Sequence, residues 1–251
     1  MADRFSAIGV FDSGVGGVGT LAALRRELPE ERFIFYGDTA NAPYGTKSRE
    51  ECMACVQRVM DHLLAQDVKA VVIACNTATA VAAAELRARY ELPIIGIEPA
   101  LKPAHELRRG GSILVLATPM TLRLEKFRAL YERYGEGAIP LPCPGLMELV
   151  EQEAYGQAKR YLTELFAPYD LTQVDAVVLG CTHYVFLRPV LAELLPPNVQ
   201  VLDGNEGTAR QLKRVLAARE LLADGPGGVT LETSGDADAV IPVMARLLRR
   251  A

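Results

Sequence analysis

Short apolar runs alternate with stretches of helical periodicity along the whole chain. The runs predicted to be strands are residues 7–11, 33–36, 70–74, 94–97, 112–116, 176–179 and 199–202. Helical patterns cover residues 48–66, 77–90, 118–134 and 206–222, and the first opens on a capping-box signature of Ser48 and Glu51. Because most of the runs are continuously apolar, as in strands buried on both faces of a sheet, the alternation predicts an α/β protein with mainly parallel sheets flanked by helices.

An internal repeat divides the chain into two similar lobes. Residues 68–75 (VKAVVIAC) and 174–181 (VDAVVLGC) are identical at five of eight positions, and residues 8–13 (IGVFDS) match residues 113–118 (ILVLAT) at nearly the same spacing. The repeat predicts a first lobe of residues 1–97 plus 206–251 and a second lobe of residues 98–205. Residues 140–145 are predicted to be a simple loop.

Composition narrows the range of partners. The 251 residues include 27 basic and 31 acidic side chains, a net charge of −4 that gives no reason to expect nucleic acid. No apolar run approaches the roughly 20 residues of a membrane span, and no apolar leader opens the chain at Met1. Five cysteines without a disulfide-scaffold spacing favour a reducing, cytoplasmic location.

Two of these cysteines occupy matching positions in the repeat. Cys75 and Cys181 each follow a predicted buried strand, and each is followed by polar residues. Ligands of open parallel sheets bind at the carboxyl ends of the strands, so we expect an active site in a cleft between the lobes. Amides at a helix start, together with the helix dipole, predict a lowered pKa for the Cys75 thiol, and the residues around Cys181 suggest the same layout.

Two thiols on opposite walls suit the inversion of a carbon stereocentre. One group removes a proton from one face of the carbon, and the other delivers a proton to the opposite face. Asp12 and His183 are close enough in sequence to the two strand ends to orient or tune the thiols. These residues predict a proton-transferring enzyme that acts on a small molecule.

The other cysteines carry weaker signals. Cys52 and Cys55 form C-x-x-C inside a predicted helix, without a second pair for zinc and without the preceding strand of a thioredoxin-like motif. Cys143 falls in the predicted loop. We therefore expect no metal site and no redox role for these three residues.

Two other classes of function remain open on the residues alone. The glycines between Gly14 and Gly19 fit G-x-G-x-x-G with Asp38 downstream, the pattern of a nucleotide-dependent oxidoreductase. However, Asp12 and Ser13 stand where a pyrophosphate would arrive, and a glycine turn that lets the backbone approach a small ligand explains the run equally simply. A two-lobed solute-binding protein is the non-enzymatic alternative.

Several motifs resemble those of the glutamate racemase family, among the cofactor-independent amino-acid racemases. They are residues 11–17 (FDSGVGG), 37–45 (GDTANAPYG), 74–79 (ACNTAT) and 179–184 (LGCTHY), with residues 149–151 (LVE) as a further match. The resemblance implies interconversion of L- and D-glutamate without pyridoxal phosphate, which supplies D-glutamate for the peptidoglycan of the bacterial cell wall. It also implies a homodimer. Aspartate racemase is the nearest alternative, because the motifs are shared across the superfamily.

The resemblance assigns roles to particular residues. Cys75 and Cys181 would transfer protons, assisted by Asp12 on one side and by His183 and Glu151 on the other. The substrate would be held by residues near the strand ends, namely Asp12, Ser13, Tyr44, Gly45, Asn76, Thr77, Thr182 and His183. Hydroxyls of Thr118 and Thr121 would add to these, although helix capping explains both threonines equally well.

Three details depart from the family pattern. Val185 replaces the usual proline after the His-Tyr pair, and the sequence beyond Glu151 leaves open whether Glu151 or Glu153 assists. The chain also starts only a few residues before its first predicted strand. We therefore expect no dependence on the cell-wall precursor that activates some relatives.

Overall fold

The computed structural model describes residues 3–251. Met1 and Ala2, at the start of the chain where no leader is predicted, lie outside the described residues. The strands are β1 (Ile8–Asp12), β2 (Arg32–Gly37), β3 (Ala70–Ile73), β4 (Ile94–Gly96), β5 (Ser112–Ala117), β6 (Ala138–Pro142), β7 (Val174–Leu179), β8 (Gln200–Asp203) and β9 (Gly228–Thr233).

The helices fill the connections between the strands. They are α1 (Val18–Glu27), α2 (Arg49–Leu64), α3 (Asn76–Arg89), α4 (Leu101–Leu107), α5 (Pro119–Arg123), α6 (Glu125–Tyr134), α7 (Leu146–Glu151), α8 (Tyr155–Phe166), α9 (Arg188–Leu194), α10 (Asn205–Ala218) and α11 (Ala237–Leu248). The predicted capping box opens α2, where Ser48 accepts from the Glu51 amide and Glu51 accepts from the Ser48 amide. Within residues 3–251, no helix is long and apolar enough to cross a membrane.

The first compact unit consists of residues 3–98 and Asn205–Ala251. Its sheet has the strand order β4-β3-β1-β2-β9, and every neighbouring pair is parallel. All residues of β1 and β3 are buried, as expected for central strands covered on both faces. The C-terminal residues complete this unit, because β9 pairs with β2 and α10 packs against α1.

The second compact unit is Pro99–Gly204. Its sheet has the order β6-β5-β7-β8, again with parallel neighbours throughout. Its core includes Leu101 of α4, Val115 of β5, Phe127 of α6 and Val178 of β7. The predicted fold class, α/β with two parallel sheets flanked by helices, is therefore confirmed.

The strand orders show the internal repeat directly. The order β4-β3-β1-β2 of the first unit corresponds to β8-β7-β5-β6 of the second. The two sequence matches fall on β1 with β5 and on β3 with β7, which are the central strands of both sheets. The first sheet adds only β9, at the edge next to β2.

The loop prediction for residues 140–145 is wrong in its first half, because Pro140 and Pro142 lie in β6. Among residues 3–251, β6 pairs with β5 alone, so the other edge of the strand has no neighbouring strand there. Pro140 and Pro142 are two positions apart and face that open side, where the missing amide hydrogen breaks no ladder bond. The amide of Cys143, on the other side, donates to the Ala117 carbonyl at 2.9 Å.

The single helix predicted over residues 118–134 is two helices, α5 and α6. The chain is extended at Leu124, which ends α5 and precedes α6. The helical periodicity does not reveal this break, because the Leu124 carbonyl accepts from the Arg128 amide and starts the next helix at once. No apolar run predicts β9, because this edge strand is only partly buried.

Candidate active site

The first unit brings Cys75 together with Ser13. Phe11 of β1 and Ile73 of β3 lie in register, so the residues two positions beyond them are neighbours at the carboxyl ends of the strands. The Ser13 hydroxyl lies 3.5 Å from the Cys75 sulfur. Both side chains are buried, and Cys75 is the N-cap of α3.

The surroundings of the Cys75 thiol raise its pKa, contrary to the lowered pKa expected from sequence. Burial, followed by the nearby charge of Asp12, raises the pKa of this thiol. The amide of Ala78, 3.4 Å from the sulfur, and the Ser13 hydroxyl act in the opposite direction but do not outweigh them. The helix start is present as predicted, and desolvation of the thiolate is the larger effect.

Asp12 is fixed by the glycine turn that follows it. Its carboxylate accepts from the Gly14 amide at 2.7 Å, and the side chain is fully buried. A Cβ on Gly17 would lie 2.6 Å from the Asp12 Cβ and 3.0 Å from that of Ala74. The glycine run therefore lets α1 pass close to the strand ends, and it supplies the amide that binds Asp12.

Tyr44 is anchored by Asp38, a residue for which the sequence analysis proposed no role at this site. The Tyr44 hydroxyl donates to an Asp38 carboxylate oxygen at 2.6 Å, and the Asn41 amide group donates to the other at 2.9 Å. Burial and then the bond to Asp38 raise the pKa of Tyr44, so the phenol stays neutral. Gly45 follows in the same 3-10 turn. The available signal was a carboxylate directly after β2.

Asn76 and Thr77 open α3, and both are buried. The amide oxygen of Asn76 has no hydrogen-bond partner within residues 3–251. A buried acceptor without a partner costs free energy, on the order of 1–3 kcal/mol, unless a ligand satisfies it. The start of α3 thus offers a hydrogen-bond acceptor beside the Cys75 thiol.

The second unit places Cys181 with His183 and Glu151. Cys181 lies two residues beyond the end of β7 and precedes a 3-10 turn, Thr182–Leu187. Its sulfur is 3.9 Å from Nδ1 of His183, whose Nε2 is 2.9 Å from a carboxylate oxygen of Glu151. Unlike Cys75, the Cys181 side chain accepts no capping hydrogen bond from the part of the chain that the structure describes, so the expected repetition of the layout is only partial.

The direction of the hydrogen bonds around His183 follows from chemistry. An ionised carboxylate only accepts, so Nε2 carries the hydrogen that Glu151 accepts. Burial acts to raise the pKa of Glu151, but the hydrogen bond and the charge of His183 together lower it. In neutral His183, Nδ1 then carries no hydrogen and can accept a proton from Cys181, and Glu151 would stabilise the resulting imidazolium.

One carboxylate partner of His183 is Glu151. Glu151 is the last residue of α7, and its carboxylate reaches the imidazole. Glu153 lies beyond the end of the helix in a left-handed conformation, with φ at 53°.

Thr118 and Thr121 act on each other at the start of α5. The Thr118 hydroxyl accepts from the Thr121 amide at 3.2 Å, and the two hydroxyls are 2.9 Å apart. Thr118 is therefore the N-cap of α5, as the capping alternative requires.

The remaining cysteines are buried free thiols. Cys52 and Cys55 lie in α2 as predicted, and burial raises the pKa of Cys52 to about 12. Cys143 follows the end of β6, and its carbonyl accepts from the Tyr184 hydroxyl at 3.1 Å. This contact was missed, although the sequence analysis had singled out the segment that contains Tyr184.

A model of the Asp/Glu/hydantoin racemase family matches residues 19–212. The matched residues include Cys75 and Cys181. Together with the two parallel α/β sheets, this match defines the protein as an amino-acid racemase, an isomerase that acts on a small molecule.

Individual relatives narrow the family further. Glutamate racemase of Bifidobacterium animalis subsp. lactis is 46% identical over 252 residues, covering 97% of this chain and 98% of that protein. The crystal structure of Thermus thermophilus glutamate racemase in complex with beta-chloro-D-alanine matches with a TM-score of 0.85 and 36% identity, over 98% of this chain and 94% of that one. The structure of Escherichia coli glutamate racemase with L-glutamate and the activator UDP-MurNAc-Ala matches with a TM-score of 0.82 and 28% identity, over 96% and 95%. The chain belongs to the glutamate racemases of this family.

Proposed function

We propose that this protein interconverts L- and D-glutamate without a cofactor, by proton transfer at Cα between Cys75 and Cys181. The observation that carries the proposal is the pair of buried thiols at equivalent strand ends of the repeat, each with a carboxylate in its surroundings. The names of the relatives support glutamate as the substrate.

The proposed reaction needs one thiolate and one thiol. The thiolate removes the Cα proton from one face of the substrate, and the electron pair of the broken C–H bond is delocalised into the adjacent carboxylate. The other thiol then donates its proton to the opposite face. The product is the mirror-image amino acid, and the two sulfur atoms have exchanged protonation states.

We propose that the two thiols start in different protonation states. Cys75 starts as the protonated acid, because burial and Asp12 raise the pKa of its thiol. Cys181 starts as the base, because His183 can take its proton while Glu151 stabilises the imidazolium. When the opposite enantiomer binds, the roles reverse, and Asp12 assists the proton transfer at Cys75.

The substrate is proposed to contact groups that surround each thiol. The unpartnered amide oxygen of Asn76 suits the substrate ammonium group, and amides at the start of α3 suit a carboxylate. The other proposed contacts are Asp12, Ser13, Tyr44, Gly45, Thr77, Thr118, Thr121, Thr182 and His183. Tyr44 contributes from a fixed position, since Asp38 holds its hydroxyl.

The cellular role follows from the proposed activity. D-Glutamate produced by this reaction would supply peptidoglycan synthesis and so support cell shape. We propose a cytoplasmic location, which suits five free thiols, and a homodimer as in the resembling family.

Hydrogen exchange in D₂O tests the proposal. Extensively dialysed protein should lose the optical rotation of L-glutamate and place deuterium at Cα, and added pyridoxal phosphate should not change the rate. L-Aspartate, assayed in parallel, should react much more slowly. Faster turnover of L-aspartate would replace the proposed substrate, and activity that needs pyridoxal phosphate would contradict the proposed chemistry.

A further inference from the structure

Two hydrogen bonds join the same pair of chain segments in the second unit. One segment, residues 143–151, leaves the end of β6 and ends at Glu151. The other, residues 181–184, leaves the end of β7 and contains Cys181 and His183. The imidazole bond between His183 and Glu151 joins them at 2.9 Å, and the hydroxyl of Tyr184 donates to the Cys143 carbonyl at 3.1 Å.

Both ends of the Tyr184 bond are firmly held. Tyr184 is fully buried, and its amide donates to the Cys181 carbonyl at 3.1 Å. The Cys143 amide donates to the Ala117 carbonyl at 2.9 Å, and the Cys143 thiol donates to the Leu141 carbonyl at 3.3 Å. The phenol therefore ties the turn after Cys181 to the sheet.

We propose that Tyr184 is a positioning residue for the proton transfer at Cys181. Its hydroxyl fixes the 3-10 turn in the place where His183 reaches Cys181 with one ring nitrogen and Glu151 with the other. The catalytic role of Tyr184 rests on the proposed function, whereas the hydrogen bonds from Tyr184 to Cys143 and from His183 to Glu151 lie within the second unit.

The phenol acts here as a neutral donor. Burial raises the pKa of Tyr184 well above its ordinary value, followed by the nearby charges of Cys181 and Cys143. The titratable groups around Tyr184 come from its own segment, from the Cys143 segment and from α8: Cys181, His183, Cys143, Glu148, Glu151 and Tyr161. The bond to Cys143 thus persists at neutral pH, and its removal changes position rather than charge.

Tyr184→Phe removes this bond and keeps the ring. We expect kcat to fall about 10-fold to 100-fold, the size of effect that a displacement of roughly 1 Å produces in a catalytic group. KM should change little, since the phenol is fully buried and its hydroxyl is bonded to the Cys143 carbonyl. With substrate deuterated at Cα, the primary isotope effect should grow in the reaction direction in which Cys181 removes the proton, and not in the reverse direction.

Two further variants separate positioning from general damage. Tyr161→Phe removes a half-buried phenol of α8 near Cys143, and it should leave kcat and both isotope effects unchanged. In a Glu151→Gln background, Tyr184→Phe should lower kcat by a much smaller factor than it does in the wild-type background. The two effects are not additive because both changes act through His183. Full additivity, or equal isotope effects in the two directions, would overturn the proposal.

A readout without turnover keeps this inference distinct from the proposed function. The rate at which iodoacetamide alkylates Cys181 at neutral pH, followed by peptide mass spectrometry, should fall several-fold in Tyr184→Phe and stay unchanged in Tyr161→Phe. An unchanged or faster rate refutes the positioning role. Absence of glutamate racemisation in the wild type refutes the proposed function and leaves the alkylation result to decide the role of Tyr184.

Discussion

The Cys75 and Cys181 sites occupy equivalent places in the repeat but surround the sulfur with different groups. At Cys75 the carboxylate is Asp12, at the end of the neighbouring strand, and its charge helps to keep the thiol protonated. At Cys181 the carboxylate is Glu151, whose contact with the imidazole of His183 links it to the sulfur. The sulfur atom therefore lies at the same position in both halves of the repeat, but the carboxylate nearby reaches it directly at Cys75 and by way of an imidazole at Cys181.

Pairing of the strands locates this difference in single residues. The position of Asp12 in β1 is taken in β5 by Ala117, which has no titratable group. The position of Thr77, two residues after Cys75, is taken by His183. The carboxylate and the imidazole therefore lie at different positions of the repeat. The proposed reaction uses this difference, since one thiol must donate a proton while the other accepts one.

The largest expected effect comes from removing either sulfur. Cys75→Ser and Cys181→Ser should each lower racemisation by about 10²-fold to 10⁴-fold, the usual value of one general acid or base. Polarimetry with both enantiomers measures the loss. Cys55→Ser is the matched control, because Cys55 is also buried and a hydroxyl can still accept from Arg58, which lies 3.2 Å from the sulfur.

The two serine variants also test whether both sites are needed. A variant that keeps more than a tenth of wild-type turnover in both directions would show that its sulfur is not a proton-transfer group. Equivalent losses in Cys55→Ser would point to a general dependence on buried thiols.

Asp12→Asn should have smaller effects, and these should go in opposite directions: faster alkylation of Cys75 and slower turnover. The amide oxygen can still accept from Gly14, but the negative charge that raises the pKa of Cys75 is gone. Since that pKa falls, more thiolate is present at a given pH, and alkylation of Cys75 should become several-fold faster. Turnover should nevertheless drop about 10-fold to 100-fold, because the carboxylate no longer assists the transfer.

The contrast between reactivity and turnover makes this prediction specific. Alkylation of Cys181, measured in the same digest, should not change. Slower or unchanged alkylation of Cys75 would show that the Asp12 charge does not govern its protonation.

The sequence predicted the fold class and most of the strands because the internal repeat lies in buried, continuously apolar strands. Continuous apolar runs predicted every strand from β1 to β8 except β6. In β6, Pro140 and Pro142 interrupt the apolar pattern, and prolines are uncommon in strands other than edge strands. β9 escaped because half-buried edge strands lack a strong apolar pattern. The motifs likewise predicted roles for both thiols, His183 and Glu151, and the structure brings the last two together with Cys181.

The state of the Cys75 thiol could not be read from the sequence. A helix start after Cys75 was visible, and it predicted a lowered pKa. Desolvation depends on every atom around the sulfur, which sequence patterns do not describe, and here it dominates. The bonds from Tyr44 to Asp38 and from Tyr184 to Cys143 were missed for a related reason, since both partners of each bond are set by how loops fold back.

The smallest expected effect separates Ser13 from Thr118, which hold equivalent positions after β1 and β5. Ser13 lies against the Cys75 sulfur, whereas Thr118 caps α5 by accepting from the Thr121 amide at 3.2 Å. Thr118→Ala should therefore cost about 1 kcal/mol in the free energy of unfolding, measured with urea, and Thr118→Ser should cost much less because it keeps the cap. Ser13→Ala should instead slow alkylation of Cys75, because the hydroxyl helps to lower the pKa of that thiol. An unchanged free energy of unfolding in Thr118→Ala would show that Thr118 does not stabilise α5 as a cap, and a rise in KM for glutamate would then assign its hydroxyl to substrate binding alone.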